Sequence, residues 1–154
     1  MRHNLFIVIL AILTFFACKT GKKAQTSQIT QGISGIITEL KGNQMPMKGA
    51  PENKPRPISA TLLVYEPTHI SQVQRVETSA LYTAINTRKV ASVLSDSTGA
   101  FSVALPPGTY SLFVQQGKFF FANSFDSKNN IQLVTVEANK VTPFNITINS
   151  GATY

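Results

Sequence analysis

The sequence predicts an all-β protein, a single sandwich of seven to eight strands that follows a signal peptide and a flexible tether. Three observations support this prediction. Apolar residues alternate with a period of two from Gly32 onward, turn-forming residues recur at short intervals, and no window after the first seventeen residues has the helical period. The chain has 154 residues, of which 43% are hydrophobic and 14% charged, so it is long and apolar enough for one folded domain.

The first seventeen residues predict a lipoprotein signal peptide. Arg2 forms a short basic head, and the apolar run 5–16 is interrupted only by Thr14. As a helix, these residues would span about 18 Å, which is too short for a hydrocarbon core of about 30 Å. This length is typical of the apolar region of a signal peptide.

The end of this segment indicates how it is processed. Cleavage after Ala17 would place the bulky Phe15 three residues before the cut, which an ordinary signal peptidase disfavours. The pair Ala17-Cys18 instead resembles a lipobox of the Bacteroidota type, although Phe15 stands where Leu is usual. The resemblance implies that the sulfur of Cys18 carries acyl chains such as palmitate and that Cys18 becomes the new N-terminus. Several acyl chains hold a protein on a membrane much better than one.

Residues 18–31 are predicted to comprise the lipidated cysteine and a flexible tether, because they lack an apolar period. Lys19, Lys22 and Lys23 lie beside the lipid without an acidic neighbour. They could attract anionic headgroups or merely keep the tether soluble. Surface-exposed lipoproteins of the Bacteroidota often carry acidic residues at this place. Their absence favours an outer-membrane protein that faces the periplasm.

The body of the chain is predicted to form strands in a fixed order. The predicted strands are residues 32–40, 58–66, 79–86, 88–95, 101–105, 110–114, 131–136 and 141–149. Because successive side chains of a strand point to opposite faces, alternation selects one face of each strand for the core. The residues assigned to these faces include Ile33, Gly35, Ile37, Ile58, Ala60, Leu62, Val64, Val90, Ser92, Leu94, Phe101, Val103, Leu105, Tyr110, Leu112, Val114, Phe144, Ile146 and Ile148.

Two turns separate the central strands. In the stretch 96–99, the Asp96 side chain can accept hydrogen bonds from the following backbone, and Gly99 tolerates a positive φ. In the stretch 106–109, Pro107 fixes φ and Gly108 suits the left-handed position of a type II turn. The pattern predicts two hairpins in series.

The stretch SDSTGAF followed by LPPGTYSLFV resembles the carboxypeptidase regulatory-like family. Together with the flanking segments GISGII and VTVEANKVT, the resemblance covers residues 32–150. It implies a transthyretin-like (prealbumin-like) Greek-key sandwich that serves as an accessory or interaction module. Three connections are longer than such a module needs, namely residues 41–57, 67–78 and 115–130. Long loops on a rigid sandwich often carry binding residues.

Catalytic and metal-binding chemistry has few candidates in this sequence. His69 is the one histidine left after signal removal, and Cys18 is the one cysteine. The acidic residues are scattered singly, so no close acid pair suggests glycoside hydrolysis. We therefore predict a non-enzymatic protein without a cofactor or a metal site. A hydrolase is the least favoured reading.

The charge distribution does not favour nucleic acid. The whole chain carries a net charge of +7, but four of the fourteen basic residues precede the domain, which leaves it with only +3. A basic stripe with interleaved aromatic residues is absent.

The aromatic segment KFFFANSF is the clearest candidate binding feature. Alternation cannot bury Phe120 and both of its neighbours on one face, so either both faces are covered or an aromatic patch is exposed. Tyr65 and Phe113 could extend such a patch. The proline-bearing loop 41–57 could add a polar rim. The predicted binding residues are Phe119, Phe120, Phe121, Lys48, Lys54 and Arg56.

Together these features predict a non-catalytic envelope lipoprotein, anchored to the outer membrane through Cys18, that acts as an accessory or protein-interaction module. The alternative is a glycan-binding sandwich, which would need its aromatic side chains to form a flat exposed platform. The expected partners are the membrane, through the lipid, and an envelope protein or glycan.

Overall fold

The computed structural model describes residues 29–46, 48–49 and 53–154. The predicted signal peptide, Cys18 and the tether as far as residue 28 lie outside the described residues. Gln31, at the end of the predicted tether, belongs to the folded body, because its side chain donates to the carbonyl of Leu105 at 2.8 Å and accepts from the backbone of Asn139 at 2.9 Å.

Among the described residues, no helix has the length and apolar character needed to cross a membrane.

The described chain is almost entirely β, and the predicted all-β sandwich is confirmed. One 3-10 turn, Ile70–Gln72, precedes β4. Eight strands have four residues or more, and four are shorter. In order, the strands are β1 (Gly32–Asn43), β2 (Arg56–Pro57), β3 (Thr61–Tyr65), β4 (Val73–Arg75), β5 (Leu81–Ile85), β6 (Lys89–Leu94), β7 (Ala100–Ala104), β8 (Gly108–Gln116), β9 (Phe119–Phe121), β10 (Leu133–Val136), β11 (Val141–Pro143) and β12 (Ile146–Thr153).

The first sheet is organised around β1, the longest of the described strands. On one side, β1 pairs antiparallel with β7 along its first half and with β2 along its second half. On the other side, it pairs in parallel with β11 and then with β12. This sheet, called sheet 1 below, is therefore mixed and only three strands wide at either end.

The second sheet, called sheet 2, has the strand order β4-β5-β9-β8-β3-β6, and β10 pairs with the first half of β8. All of its pairs are antiparallel. The segment of chain between β3 and β6 forms β4 and β5, which extend this sheet, so sheet 2 is about twice as wide as sheet 1.

The main core lies between the two sheets, and most of the predicted inward faces are confirmed. Leu112, Val114 and Ile37 are fully buried, and Ile58, Ala60 and Phe144 pack at the margin. The buried members are Ile33, Ile37, Leu62, Val64, Phe101, Val103, Leu105, Tyr110, Leu112, Val114, Phe121, Val134, Val136, Ile146 and Ile148.

The predicted inward face of β6 was wrong. Ala91 and Val93 pack against the core, whereas Ser92 is exposed and Leu94 is 67% exposed. The register follows from Ser95, which is buried and whose hydroxyl donates to the carbonyl of Ile58 at 3.0 Å. A bulge in the β3–β6 ladder lets Val90 also reach the core. A one-residue shift of register exchanges the two faces of a strand.

The first central turn has the predicted local chemistry, but neither central turn forms a hairpin. Asp96 Oδ1 accepts from the backbone of Thr98 at 2.8 Å and of Ala100 at 3.0 Å, and Gly99 has a φ of +76°. However, β6 and β8 belong to sheet 2 while β7 belongs to sheet 1. Each turn therefore carries the chain across the core, so that the inward faces of β7 and β8 oppose each other.

The second turn also differs in detail from its prediction. Gly108 has the expected positive φ, at +157°, a conformation that residues other than glycine rarely adopt, and it is the first residue of β8. It does not occupy the left-handed position of a type II turn. The Tyr110 hydroxyl holds the corner instead by donating to the carbonyl of Pro106 at 2.9 Å. This arrangement resembles the tyrosine corner of other sandwiches.

The predicted strand 141–149 is divided at Phe144 and Asn145. The backbone of Phe144 donates to the carbonyl of Ser34 at 2.8 Å, and Asn145 Oδ1 accepts from the backbone of Ile36 at 2.9 Å. The division brings the backbone of Phe144 against Gly35. A Cβ at Gly35 would collide with the carbonyl of Phe144, so the close approach requires glycine there.

Candidate binding surfaces

The aromatic segment packs against apolar residues on both faces, at Phe120 and Phe121, while Phe119 is only half-buried. Phe121 points into the main core and is fully buried. Phe120 points the opposite way and packs against a second apolar cluster, and Phe119 is half-buried with the Lys118 ammonium 5.2 Å from its ring centroid. Phe121 is thus inaccessible to a partner, and the segment does not form the flat platform that the glycan-binding alternative needs.

The second cluster, called the outer core below, covers the outward face of sheet 2. Tyr65 and Phe113 belong to it, so the hypothesis that they extend an exposed patch was wrong. Their rings meet edge to face, with centroids 5.6 Å apart, and Phe113 is fully buried. The buried members are Leu63, Tyr65, Tyr82, Phe113, Ala122 and Ile131, and Ile70, Val73, Ile85 and Phe120 pack around them.

Two of the three long connections predicted as binding loops, residues 67–78 and 115–130, contribute to the cover of the outer core. The backbone of Thr68 donates to the buried Ser111 hydroxyl at 2.9 Å, and the backbone of Ile131 donates to the carbonyl of Thr68 at 2.8 Å. The Arg75 guanidinium lies 5.9 Å from the ring centroid of Phe125, across the two connections. Residues 67–78 and the part of residues 115–130 that follows β9 therefore have a structural role.

One group in the outer core lacks a partner within the described part of the chain. The Tyr82 hydroxyl is buried and has no hydrogen-bond partner. Burial raises the pKa of this hydroxyl, and the nearby Arg75 partly opposes the shift. A buried polar group without a hydrogen bond costs stability.

His69 has a structural position. Its Nδ1 accepts from the backbone of Ser71 at 3.1 Å, and its own backbone donates to Gln72 Oε1 at 2.9 Å. These bonds cap the 3-10 turn that leads into β4. The histidine thus helps to hold residues 67–78 over the outer core.

The carboxylates with perturbed pKa values also stabilise turns. The Thr98 hydroxyl and backbone lower the pKa of Asp96, and the Asn130 side chain and backbone lower the pKa of Asp126. Within residues 29–46, 48–49 and 53–154, no three His, Cys, Asp or Glu side chains come together in a way that could hold a metal ion.

The loop 41–57 forms part of a basic pocket at one end of the sandwich. The pocket has a volume of about 450 Å³. Two predicted binding residues, Lys54 and Arg56, line it together with Lys41, which the sequence did not indicate. We call it the basic pocket, and its lining residues are Glu39, Lys41, Asn53, Lys54, Arg56, Pro57 and Ile58.

The position of the basic pocket follows from the alternation of β1. Glu39 and Lys41 continue the row of side chains that begins with Ile33 and Ile37, so the row changes from apolar to charged where β1 leaves the core. Arg56 pairs with Glu39 across the β1–β2 ladder. The pocket is therefore an open continuation of the space between the sheets.

Basic residues outnumber acidic ones among the described residues that line the pocket. Lys41 Nζ lies 2.9 Å from Glu39 Oε2, and Asn53 Nδ2 donates to the carbonyl of Lys41. Lys54 and Arg56 also line the pocket, so its described lining includes three basic residues and one acidic residue. Guanidinium and ammonium groups on a concave surface favour carboxylate or phosphate ligands.

The two predicted binding segments connect to different parts of the fold. The basic pocket belongs to β1 and β2, on the β7 side of sheet 1. The aromatic segment belongs to sheet 2, where Tyr82 pairs with Phe120 and Gln116 with Phe119. Lys48 is exposed and is not among the residues that line the basic pocket.

The fold and these surfaces define the chain as an all-β sandwich module with a basic concave site. The comparisons with known proteins returned no matching family model, no curated relative and no solved structure.

Proposed function

We propose that the protein is a non-catalytic lipoprotein of the bacterial envelope, anchored to the outer membrane through Cys18, that binds an anionic group of a partner in its basic pocket. This proposal rests on a single observation, the grouping of Lys41, Lys54 and Arg56 around one cavity at the end of a rigid sandwich. The resemblance to carboxypeptidase regulatory-like modules agrees with an accessory role, and the Ala17-Cys18 pair supports the anchor.

The basic pocket lies at the end of the domain far from the tether, which favours a partner that is not in the anchoring membrane. The tether enters the domain at Gln31, next to the start of β1, whereas Lys41 lies near the end of the same strand. An extended strand rises about 3.3 Å per residue, so roughly 30 Å separates the two points. A domain that hangs from its tether would thus present the pocket to the periplasm.

The anchor is tested by the substitution Cys18→Ser. We expect the variant to lose acylation and to leave the membrane fraction. Mass spectrometry of the membrane-bound wild type should show acyl chains on Cys18. An unmodified Cys18 in the membrane fraction would contradict the anchor.

The basic pocket is tested separately, with a soluble form that begins after Cys18. The variant Lys41→Ala/Lys54→Ala/Arg56→Ala is compared with a charge-matched control, Lys89→Ala/Lys118→Ala/Lys128→Ala, whose three lysines are also exposed. Both must first unfold with the midpoint of the wild type. Three exposed charge contacts contribute about 1–2 kcal/mol in total, so a partner should bind the pocket variant about tenfold more weakly.

The readout is quantitative recovery of partners from an envelope extract at low and high salt. We expect recovery to fall for the pocket variant, to persist for the control, and to fall with salt for the wild type. If the pocket variant recovers every partner as well as the control does, the basic pocket is not the binding site.

A further inference from the structure

The two sheets differ in width on the side of β12. Within the described part of the chain, β12 is the outermost strand of sheet 1 on this side, and two side-chain hydrogen bonds place it opposite the β8–β9 hairpin of sheet 2. Asn123 Nδ2 donates to Asn149 Oδ1 at 3.2 Å, and the Ser150 hydroxyl donates to Gln116 Oε1 at 2.7 Å. In sheet 2, β5 and β4 follow beyond β9. Sheet 2 therefore extends past β12 by two strand spacings, or about 10 Å.

The inward face of this extension is incompletely covered. Leu81 pairs with Phe121, shares its inward face, and is only half-buried. Thr83, the next residue on that face, is exposed. Phe119 lies on the same face as Phe121 and is half-buried. We call the surface formed by Phe119, Leu81 and Thr83 the shelf.

The register of sheet 1 leaves backbone groups of β12 pointing toward the shelf side. The N–H and C=O of Ile37 bond to Gly99 and Ile58, on the β7 and β2 side. The backbone of Thr38 therefore points to β12, where its parallel register partner is Thr147. In a parallel ladder, the bonds of Thr38 go to the residues on either side of Thr147. The N–H and C=O of Thr147 thus point away from β1.

The regular part of this edge, residues 146–148, lacks the charges and prolines that usually prevent strand pairing, and the register against β1 shifts after it, before Gly151. The eight residues of β12, ITINSGAT, include no charged residue and no proline. By contrast, β2 consists of Arg56 and Pro57, β4 carries Arg75, and β6 begins with Lys89. Proteins commonly use charges, prolines and short strands to block exposed sheet edges.

We propose that the free edge of β12 and the shelf together bind one extended segment of a partner protein, which adds a strand to sheet 1 opposite β5. The edge supplies main-chain hydrogen bonds, and the shelf selects the side chains that face inward. Because Phe119 and Leu81 are apolar while the outer face beside Thr147 is polar, the segment alternates apolar and polar residues. The site is separate from the basic pocket.

A second copy of the chain fits this site poorly. Antiparallel pairing of two β12 strands requires a two-fold axis normal to the sheet, which places both copies of sheet 2 on the same side. The extension of each sheet 2 would then overlap the sandwich of the other copy. A gap of about 10 Å accommodates one or two strands but not a second domain.

The experiment uses a phage library of peptides roughly eight residues long, the length of an ordinary strand. The library is selected against the soluble chain, and a library of the same composition without alternation serves as the background. Selected peptides are synthesised, and their affinities are measured by fluorescence polarisation. Thr147→Pro removes the outward N–H while leaving the ladder to β1, and Thr147→Val is its matched control because it keeps the N–H.

A second pair of variants tests the shelf and guards against failed folding of the proline variant. Phe119→Ala removes the shelf aromatic, and Phe125→Ala removes a 42% exposed aromatic outside the shelf. Light scattering reports the oligomeric state of every variant.

We expect selection of alternating peptides that bind Thr147→Pro and Phe119→Ala about tenfold more weakly than the wild type, with Thr147→Val and Phe125→Ala unchanged. The proposal fails if no peptide is enriched over background, or if the selected peptides bind the first two variants as tightly as the wild type. A dimer of the wild type that Thr147→Pro abolishes would also overturn it, because the occupant would then be a second copy.

Discussion

The substitution Phe113→Ala tests whether the outer core is a true core rather than a binding patch. Phe113 is fully buried, and its ring meets Tyr65 and Tyr82 edge to face at centroid distances of 5.6 Å and 5.7 Å. A buried Phe→Ala change costs about 3–5 kcal/mol. Each aromatic contact adds about 0.5–1.5 kcal/mol beyond burial, so we expect a loss of about 4–5 kcal/mol.

Phe125→Ala is the matched control. Phe125 is 42% exposed, and its main polar contact is the Arg75 guanidinium at 5.9 Å. An exposed cation–π contact contributes about 0.5–1 kcal/mol, so this variant should lose no more than about 1 kcal/mol.

The assay is urea unfolding followed by circular dichroism, with the slope compared among variants to confirm that the surface exposed on unfolding is unchanged. If Phe113→Ala costs less than about 1 kcal/mol, or no more than Phe125→Ala, the outward face of sheet 2 is not packed as a core. The aromatic residues there would then return as candidates for partner binding.

Three further predictions concern single positions. Gly99→Ala should lower stability by about 2–3 kcal/mol, because its φ is +76° and a Cβ would collide with the carbonyl of Ile37. Gly117→Ala is the control in the same urea assay and should cost about 1 kcal/mol, because its φ is +58° but a Cβ there would meet no other atom. Tyr82→Phe should raise stability by about 1 kcal/mol by removing an unpaired buried hydroxyl, and a loss instead would mean that the hydroxyl has a partner. Because the pKa of Asp126 is lowered in the folded state, its contribution to stability should be present at neutral pH and lost as the pH falls below the ordinary pKa of 3.8. The substitution Asp126→Asn should therefore flatten the loss of stability at acid pH. An unchanged dependence of stability on pH would contradict the turn assignment.

The sequence predicted a strand and its inward face well where apolar and polar residues alternate clearly, because alternation does not depend on which strand it pairs with. The inward faces of β1, β3, β7 and β8 follow from alternation alone, because side chains of a strand must alternate whatever it pairs with. The short strands β2, β4 and β9 were missed, since two or three residues carry no readable period. The face of β6 was misassigned because its register depends on the buried Ser95 and on a bulge.

The candidate site was predicted only in part for a related reason. Lys54 and Arg56 were selected because they lie in a long loop, but Lys41 was not, since its place beside them depends on the pairing of β1 with β2. Phe121 was selected as an anchor and proved to be core. An aromatic residue in a strand has the same local pattern whether or not a distant segment covers it.

By itself, the sequence determined the fold class, the inward faces of the longer strands, the turn at Asp96 and the basic character of the loop 41–57, because these depend on local periodicity and local hydrogen bonding. Only the tertiary structure decided that the turns cross between sheets, that two of the long connections contribute to the cover of the outer core, and that sheet 2 extends beyond β12. These features depend on which strands pair across 20 to more than 100 residues of chain, as with Ile36 and Asn145, which are 109 residues apart. Pairing of that range is set by the packing of the whole core, so no short stretch of sequence encodes it.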